Sequence, residues 1–483
     1  LLLIAFNQRN QAHVKHRCLY GKFKLVLVKM RFPKENIFTM QDEEWRDQDK
    51  IRQQFDYGPY PRIPIEAFPK DDYEQFFQHN LVTPYYLRHR RVADTQDKLI
   101  LDAGCGSGYK ALVLAAANPG AKIIGIDLSE QSLNLARQRF TFHKLNNAEF
   151  YQLKLEDIAQ LGLQFDYINC DEVLYLLPDP AAGLQAMQAV LKPDGLIRAN
   201  LHNAYERAEL YRAQQLFKFI GLMDSAPSEF EQDAVVETMN ALKDAVALKS
   251  ETWIGRGVAN VQPEKLREVL STNFLLLNDK GYTIPDLFDL LEQANLEFVS
   301  MVNWRRWDVM DLFKQPDNLP ALWGMGLADA GIQEKLHLFE LLNPVHRLMD
   351  FWCTHPGSSG IPADQWSESE WQKAIIHLHP QLRTESFKQE LIQAISHTQP
   401  FEISKQVKLP ALAPVFLEAS VAACLLPLWD GAQPIQVLVE RFRQVRPIDP
   451  ITLKPISEIA VYEKVKELLN QLDAFLYVLL EQA

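Results

Sequence analysis

The chain has 483 residues, 47% hydrophobic and 23% charged, the balance of a globular protein with more than one domain. A formal net charge of −12 argues against a broad phosphate-tracking surface and so against nucleic acid as the main partner, leaving a local basic patch open. The five cysteines (18, 105, 170, 353, 424) are scattered without a Cys-x-x-Cys pair, which points to a reducing, cytoplasmic compartment and to no structural zinc. No apolar run reaches about 18 residues, so no transmembrane helix is expected.

Residues 1–39 carry eight Lys/Arg and one acid, Glu35. The chain begins on Leu, and Met40 opens a more acidic segment, so 1–39 reads as an N-terminal extension of uncertain status; a basic presequence is the alternative, although the Ser-rich character is missing. Residues 40–95 hold Phe55-Asp-Tyr-Gly-Pro-Tyr-Pro61 and Leu81-Val-Thr-Pro-Tyr-Tyr-Leu87, whose proline and aromatic density predicts an ordered arm or lid.

From residue 98 onward strand and helix signals alternate. Leu99–Leu101 predicts a strand, Lys110–Ala117 a helix, Ala121–Ile126 a buried strand ending at Asp127, and Glu130–His143 a helix capped by Ser129. Glu149–Gln152 and Phe165–Asn169 predict two more strands, Ala181–Leu191 a helix stopped by Lys192-Pro-Asp-Gly195, and Leu196–Leu201 a fifth strand. This alternation predicts an α/β fold, a Rossmann-like doubly wound sheet. Amphipathic helices over 204–222 and 232–248 predict a helical cap inserted near 205–280. A helix through Asp286–Ala294 and a strand at Glu297–Val302 then return the chain to the sheet, closing a core over 96–310. Residues 311–400 read as a helical accessory domain, and 401–483 as a winged-helix-like unit with helices at 418–429, 435–443 and 457–472 and a strand-like 475–480.

The chemistry concentrates at Leu99-Ile-Leu-Asp-Ala-Gly-Cys-Gly-Ser-Gly-Tyr109. A buried strand runs into an acid, Gly104, Gly106 and Gly108 alternate, and a helix follows. Such a turn lets backbone amides approach a ligand, and the helix N-terminus favours a negative group there. The third glycine of the dinucleotide fingerprint is replaced by Tyr109, which disfavours a nicotinamide dehydrogenase and suggests a nucleoside carrying a carboxylate. Asp127, ending the second strand, is placed to accept hydrogen bonds from a ribose diol. The opposing reading of Asp102 and Asp127 is a helix cap or strand-end turn.

Four motifs in order, Ile100–Gly108, Gly125-Ile-Asp-Leu-Ser129, Phe165-Asp-Tyr-Ile with Val173–Pro180, and Val190-Leu-Lys-Pro-Asp-Gly-Leu196, resemble those of class I S-adenosylmethionine-dependent methyltransferases. The resemblance implies S-adenosyl-L-methionine as cofactor. Its methionine carboxylate would lie on the amides of Gly104, Cys105, Gly106 and Gly108, its ammonium on Asp102, its ribose on Asp127 beside Leu128, and its methionine end against Asn169 and Cys170. Where relatives place an Asp for the adenine amino group this chain has Lys154, so Leu155 with Glu156 or Asp157 is expected to serve adenine. The arm and Cys424-Leu-Leu-Pro-Leu-Trp-Asp-Gly431 resemble bacterial members with a C-terminal regulatory domain.

On the acceptor side, Asp171, Glu172 and Tyr175 follow the fourth strand and His202 follows the fifth; His202, Glu172 and Tyr175 are the catalytic candidates, with His202 as base. Tyr57 and Tyr60 are lid candidates. No Asn/Asp-Pro-Pro-Tyr/Phe tetrad and no Pro-Cys pair follows strand four, so the acceptor is expected to be a small molecule or a protein side chain, methylated by in-line displacement; the alternative is a cofactor-binding regulatory protein without turnover. His346, His355, His377 and His379 with Cys353 lack paired ligand spacing, and no metal is expected. Trp304 and Trp307 read as packing anchors, with Arg305 and Arg306 available to an anion. The oligomeric state is left open.

Overall fold

A computed structural model describes residues 40–483 apart from 59, 71, 410–412, 450, 451 and 483, and apart from the side chains of 40–48; the extension at 1–39 lies outside the described residues. The strands of the main sheet are β1 (Leu99–Ala103), β2 (Lys122–Asp127), β3 (Ala148–Gln152), β4 (Phe165–Cys170), β5 (Leu191–Asn203), β6 (Gly281–Tyr282), β7 (Glu297–Met301) and β8 (Leu348–Thr354). They run in the order β3-β2-β1-β4-β5-β8-β7, with β6 beside the end of β5. The first five pair in parallel, and β8 lies antiparallel between β5 and β7.

The central strands are apolar on both faces because helices cover both sides. Ile100, Leu101, Ile123, Ile124, Ile168 and Ile197 are wholly buried. In chain order the helices include α1 (Met40–Tyr57), α2 (Tyr73–His79), α3 (Val82–His89), α4 (Tyr109–Ala117), α5 (Glu130–Phe142) and α6 (Pro180–Ala189). The side chains of Ser129 and Asp179 cap α5 and α6 by accepting from Ser132 and Ala182 amides. Helices at Ala208–Phe219, Glu229–Ala241 and Pro263–Val269 form a cap over the carboxyl edge, packed around Phe217, Met239, Trp253 and Phe274.

Three expected features are corrected. Residues 311–400 are not a helical domain. Leu348–Thr354 completes the main sheet, so the core expected over 96–310 extends to 354; here Met349, Phe351 and Cys353 alternate into one buried layer while Trp352 packs into another. The strand Ala374–Leu378 pairs with Gln433–Pro434 and Val478–Gln482, so a boundary at 400 cuts through one sheet. This C-terminal unit shares a core with the arm: Phe77, Val82 and Tyr86 lie among Trp371, Ile376, Leu428 and Val478. The Lys192-Pro-Asp-Gly195 segment is also drawn into β5 instead of standing as a separate turn.

Candidate active site

The glycine turn follows β1 with Gly104, Gly106 and Gly108 at φ of 78°, 50° and 80°, which side chains rarely adopt. Its amides are used within the protein. Gly104 and Cys105 donate to Ile126 O at 2.8 and 2.9 Å, Ser107 to Tyr60 O at 3.0 Å and Gly108 to Cys105 O at 2.9 Å, while Gly106 donates to Asp127 Oδ2 at 2.9 Å. The amides expected to receive a ligand carboxylate are thus already bonded within the protein, that of Ser107 to the Tyr60 carbonyl of the arm. Gly108 and Cys105 do not border the cavity. A Cβ on Gly108 would meet Ala136 of α5 at 2.6 Å, so this glycine permits close helix packing, and Cys105 is buried against Gly125.

In front of the turn lies a cavity bordered by Gly104 and Gly106, by Asp127, Leu128 and Ser129 after β2, by Leu153–Glu156 after β3, and by Asp171–Val173 after β4. Ile51, Arg52, Phe55 and Tyr60 of the arm roof it. Asp127 Oδ1 accepts from Ser129 N at 2.8 Å as Oδ2 accepts from Gly106. Burial pushes its carboxyl above the ordinary range, against those two hydrogen bonds. Each carboxylate oxygen carries a second lone pair, so Asp127 keeps capacity for a ligand diol. Leu128, Leu153 and Leu155 form an apolar slot, with Glu156 at its side. Tyr57 is 49% exposed and faces a different groove, with Arg139, so of the two lid candidates Tyr60 alone borders this cavity.

Beneath the turn sits a buried polar layer. Asp102 Oδ1 accepts from Asn169 Nδ2 at 2.8 Å, while Oδ2, also buried, has no partner among the described residues. Burial pushes the Asp102 carboxyl up to about 7, against the Asn169 hydrogen bond. Asn169 Oδ1 accepts from Arg198, which is paired through two nitrogens to Asp350 at 3.0 and 2.6 Å. Asn169 and Cys170 do not border the cavity: Asn169 is locked in this layer and Cys170 in the apolar core, and the wall passes to the next two residues, Asp171 and Glu172. Burial opposes ionisation of Asp171, but Lys110 and Arg198 outweigh it and hold its carboxyl well below the usual range.

A second chamber, bordered by Thr272, Asn273 and Leu276 of the cap and by Tyr175 and Arg347, shares Phe55, Tyr60, Glu172 and Leu176 with the first. Glu172, at φ 63°, is held by its amide on Asn200 Oδ1. Its carboxylate accepts from Tyr175 OH at 2.5 Å and from both terminal nitrogens of Arg347. Although burial opposes it, the Arg347 guanidinium holds Glu172 below the usual carboxylate range.

His202 stands behind this wall and borders neither chamber. Its ring stacks on Tyr175 at 3.6 Å, its Nδ1 lies 2.6 Å from Asp279 Oδ1, and its Nε2 lies 3.0 Å from Arg347 Nη1. Arginine only donates, so Nε2 is the acceptor and the ring proton resides on Nδ1. Burial lowers the His202 pKa and keeps it neutral despite Asp279. The expected base thus has both ring nitrogens engaged within the protein. Asp279 is fully buried and also accepts from Arg207 and Gln214 at 2.8 Å. Asp279, Arg207 and Arg347 escaped the sequence reading; Arg347 becomes visible only once β8 is recognised, because it immediately precedes that strand. The histidine group disperses: His346 stacks on Trp307, His377 pairs with Glu481 and His379 bonds Thr83.

A sheet of this order, with strand-end acids and a glycine turn at its carboxyl edge, is the architecture of class I S-adenosylmethionine-dependent methyltransferases. Residues 94–272 match a family described as a methyltransferase domain, and this chain carries such a domain. It is 27% identical over 343 residues to an uncharacterised protein of Synechococcus sp., covering 68% of this chain and 75% of that protein. It is 35% identical over 133 residues to the ubiquinone biosynthesis O-methyltransferase of Neisseria meningitidis, covering 26% of this chain and 55% of that enzyme, so it spans about half the length of that enzyme. Its fold is like that of PKMT2 from Rickettsia typhi at a TM-score of 0.54 and 14% identity, covering 87% of this chain and 77% of that one; for the same protein in complex with AdoHcy the TM-score is 0.51.

Proposed function

We propose that the first cavity binds S-adenosyl-L-methionine and that the adjoining chamber presents a small molecule or a protein side chain for methylation. The observation that carries this reading is the shared wall: two chambers meet at Phe55, Tyr60, Glu172 and Leu176, so a donor in one and an acceptor in the other would be in contact. The residues present suit the donor. Asp127 suits a diol and the slot of Leu128, Leu153 and Leu155 suits adenine; Asp102 does not itself border the cavity, but its buried Oδ2, without a partner among the described residues, suits an ammonium. The PKMT2 fold relative is described in complex with AdoHcy, which accords with this assignment.

When bound, the cofactor supplies a methyl group activated by its sulfonium. The chain's task is alignment: holding the nucleophile roughly 3 Å from the methyl and in line with the departing sulfur provides most of the acceleration. Arg347 and Tyr175 fix the Glu172 carboxylate at the junction, and the Asp279–His202 pair fixes Arg347 and Tyr175 from behind. Glu172 then orients an acceptor O–H or N–H through a remaining lone pair. Among the described residues no helix is long and apolar enough to cross a membrane, and Cys105, Cys170, Cys353 and Cys424 are buried and unpaired, in keeping with a reducing, cytoplasmic setting.

The test supplies methyl-labelled S-adenosylmethionine with cell extract and follows label into acceptor, alongside calorimetric binding of the cofactor. Wild type is expected to transfer label; Glu172→Gln should bind cofactor within about twofold of wild type yet transfer at least about tenfold more slowly, the loss of a charge-assisted hydrogen bond. Cofactor binding without any label transfer by wild type would reject turnover.

A further inference from the structure

A third cavity lies at the β7 edge of the sheet and shares no bordering residue with either chamber. Its volume is about 410 Å³, within the range typical of small-molecule sites. The edge strand β7 forms its floor, and the Val302-Asn-Trp-Arg-Arg-Trp307 segment forms one wall. Met301, Trp307, Leu327 and Leu336 make its depth apolar and are all buried. Trp304, on the rim, packs against three of the molecule's hydrophobic cores at once.

The rim carries two cations: Lys335, and Arg305, which forms long ion pairs with Asp308 and Asp311 but leaves its Nε without a hydrogen bond. Lys335 is half-buried and makes no side-chain hydrogen bond or ion pair among the described residues. The Nε of Arg305 is buried without a hydrogen-bond partner, and its terminal nitrogens lie 3.5 Å from Asp308 and 3.9 Å from Asp311, too far for good hydrogen bonds. Asp308, the one acid bordering the cavity, already accepts from the Met310 amide at 3.0 Å. An unpartnered buried donor costs free energy that a matching acceptor recovers. Aromatic walls, an apolar interior and a cationic mouth together select an apolar body that ends in one negative group.

We propose that this cavity is a second ligand site, distinct from the catalytic chambers, for a free amphipathic carboxylate: a flat or short apolar body within the cavity, with its carboxylate held between Lys335 and Arg305. The ligand's volume is bounded by the cavity, and its charge is set by the rim.

The experiment uses the full chain and 2-naphthoate as probe, with 2-naphthylmethanol and 2-naphthylmethylammonium as neutral and cationic controls. Binding is read by calorimetry and by tryptophan fluorescence, in the presence and absence of saturating AdoHcy. Naphthoate is expected to bind at one saturable site, at least about tenfold more tightly than the alcohol, with no binding of the ammonium compound. The Lys335→Gln and Arg305→Gln double variant should lose that tenfold advantage and retain wild-type affinity for AdoHcy. AdoHcy should leave naphthoate binding unchanged. Equal affinity for naphthoate and the alcohol, undiminished affinity in the double variant, or displacement of naphthoate by AdoHcy would each overturn the proposal. Because AdoHcy binding is measured separately, failure here is distinguishable from failure of the cofactor assignment.

Discussion

Asp127 shows how a residue legible in the sequence acquires a second task in the fold. A strand-end acid after a glycine turn signals a diol partner, and the structure adds that its two oxygens tie the Gly106 and Ser129 amides together. Asp127→Ala should weaken S-adenosylmethionine binding by roughly 1–3 kcal/mol, measured by calorimetry, from losing charged hydrogen bonds. Asp102 carries a pH signature. Its folded pKa, pushed up to about 7 by burial, lies above the ordinary carboxylate value, so the cofactor-free protein binds the extra proton more tightly than the unfolded chain. Its stabilising contribution is full below the ordinary carboxylate range and is lost as pH rises through about 7. Pairing with an ammonium requires the carboxylate, so cofactor affinity should rise as pH increases from 5.5 to about 7 and then level off. Asp102→Asn should flatten that rise; an unchanged profile would remove Asp102 from the site. Cys105 and Gly108 of the glycine turn and Cys170 at the end of β4 serve packing, because backbone spacing does not reveal which side chains turn inward.

At the scale of elements, the arm decides what the glycine turn can do. Arg139 of α5 is buried without an ion-paired acid among the described residues and donates to Ser107 O at 3.1 Å, Pro64 O at 2.7 Å and Ile63 O at 2.8 Å. It fastens the arm to the turn, and burial lowers its pKa. Arg139→Leu leaves three carbonyls unpaired and should cost roughly 1–3 kcal/mol of local stability. The measurement is limited proteolysis over residues 57–66 together with the cofactor dissociation rate, both expected to increase. Proline and aromatic density announced an ordered arm, but not that its Tyr60 carbonyl would meet the Ser107 amide, a contact between segments distant in sequence.

At the scale of the molecule, α2 and α3 join the catalytic core to the C-terminal unit. Tyr86 is fully buried; its hydroxyl donates to Asp473 Oδ1 at 2.5 Å and accepts from Leu480 N at 2.8 Å. Asn80 and Asn118 bind the same arm to α4. Tyr86→Phe leaves a buried carboxyl and an amide short of a partner, and should lower stability by roughly 1–3 kcal/mol in denaturant titration. Loss confined to surface fluctuations, with an unchanged midpoint, would show that the junction is not integral to the fold.

The sequence by itself determined the parallel half of the sheet, the glycine turn and Asp127, because short continuous apolar runs, glycine conformations and strand-end acids are local signals. Only the tertiary structure decided that Leu348–Thr354 completes the sheet, that Ala374–Leu378 joins the last strand, that His202 is enclosed by Asp279 and Arg347, and that the arm's Tyr60 carbonyl takes the Ser107 amide. Each of these depends on partners far apart in the chain, and an antiparallel strand inserted late leaves no mark on the spacing of the residues it will pair with.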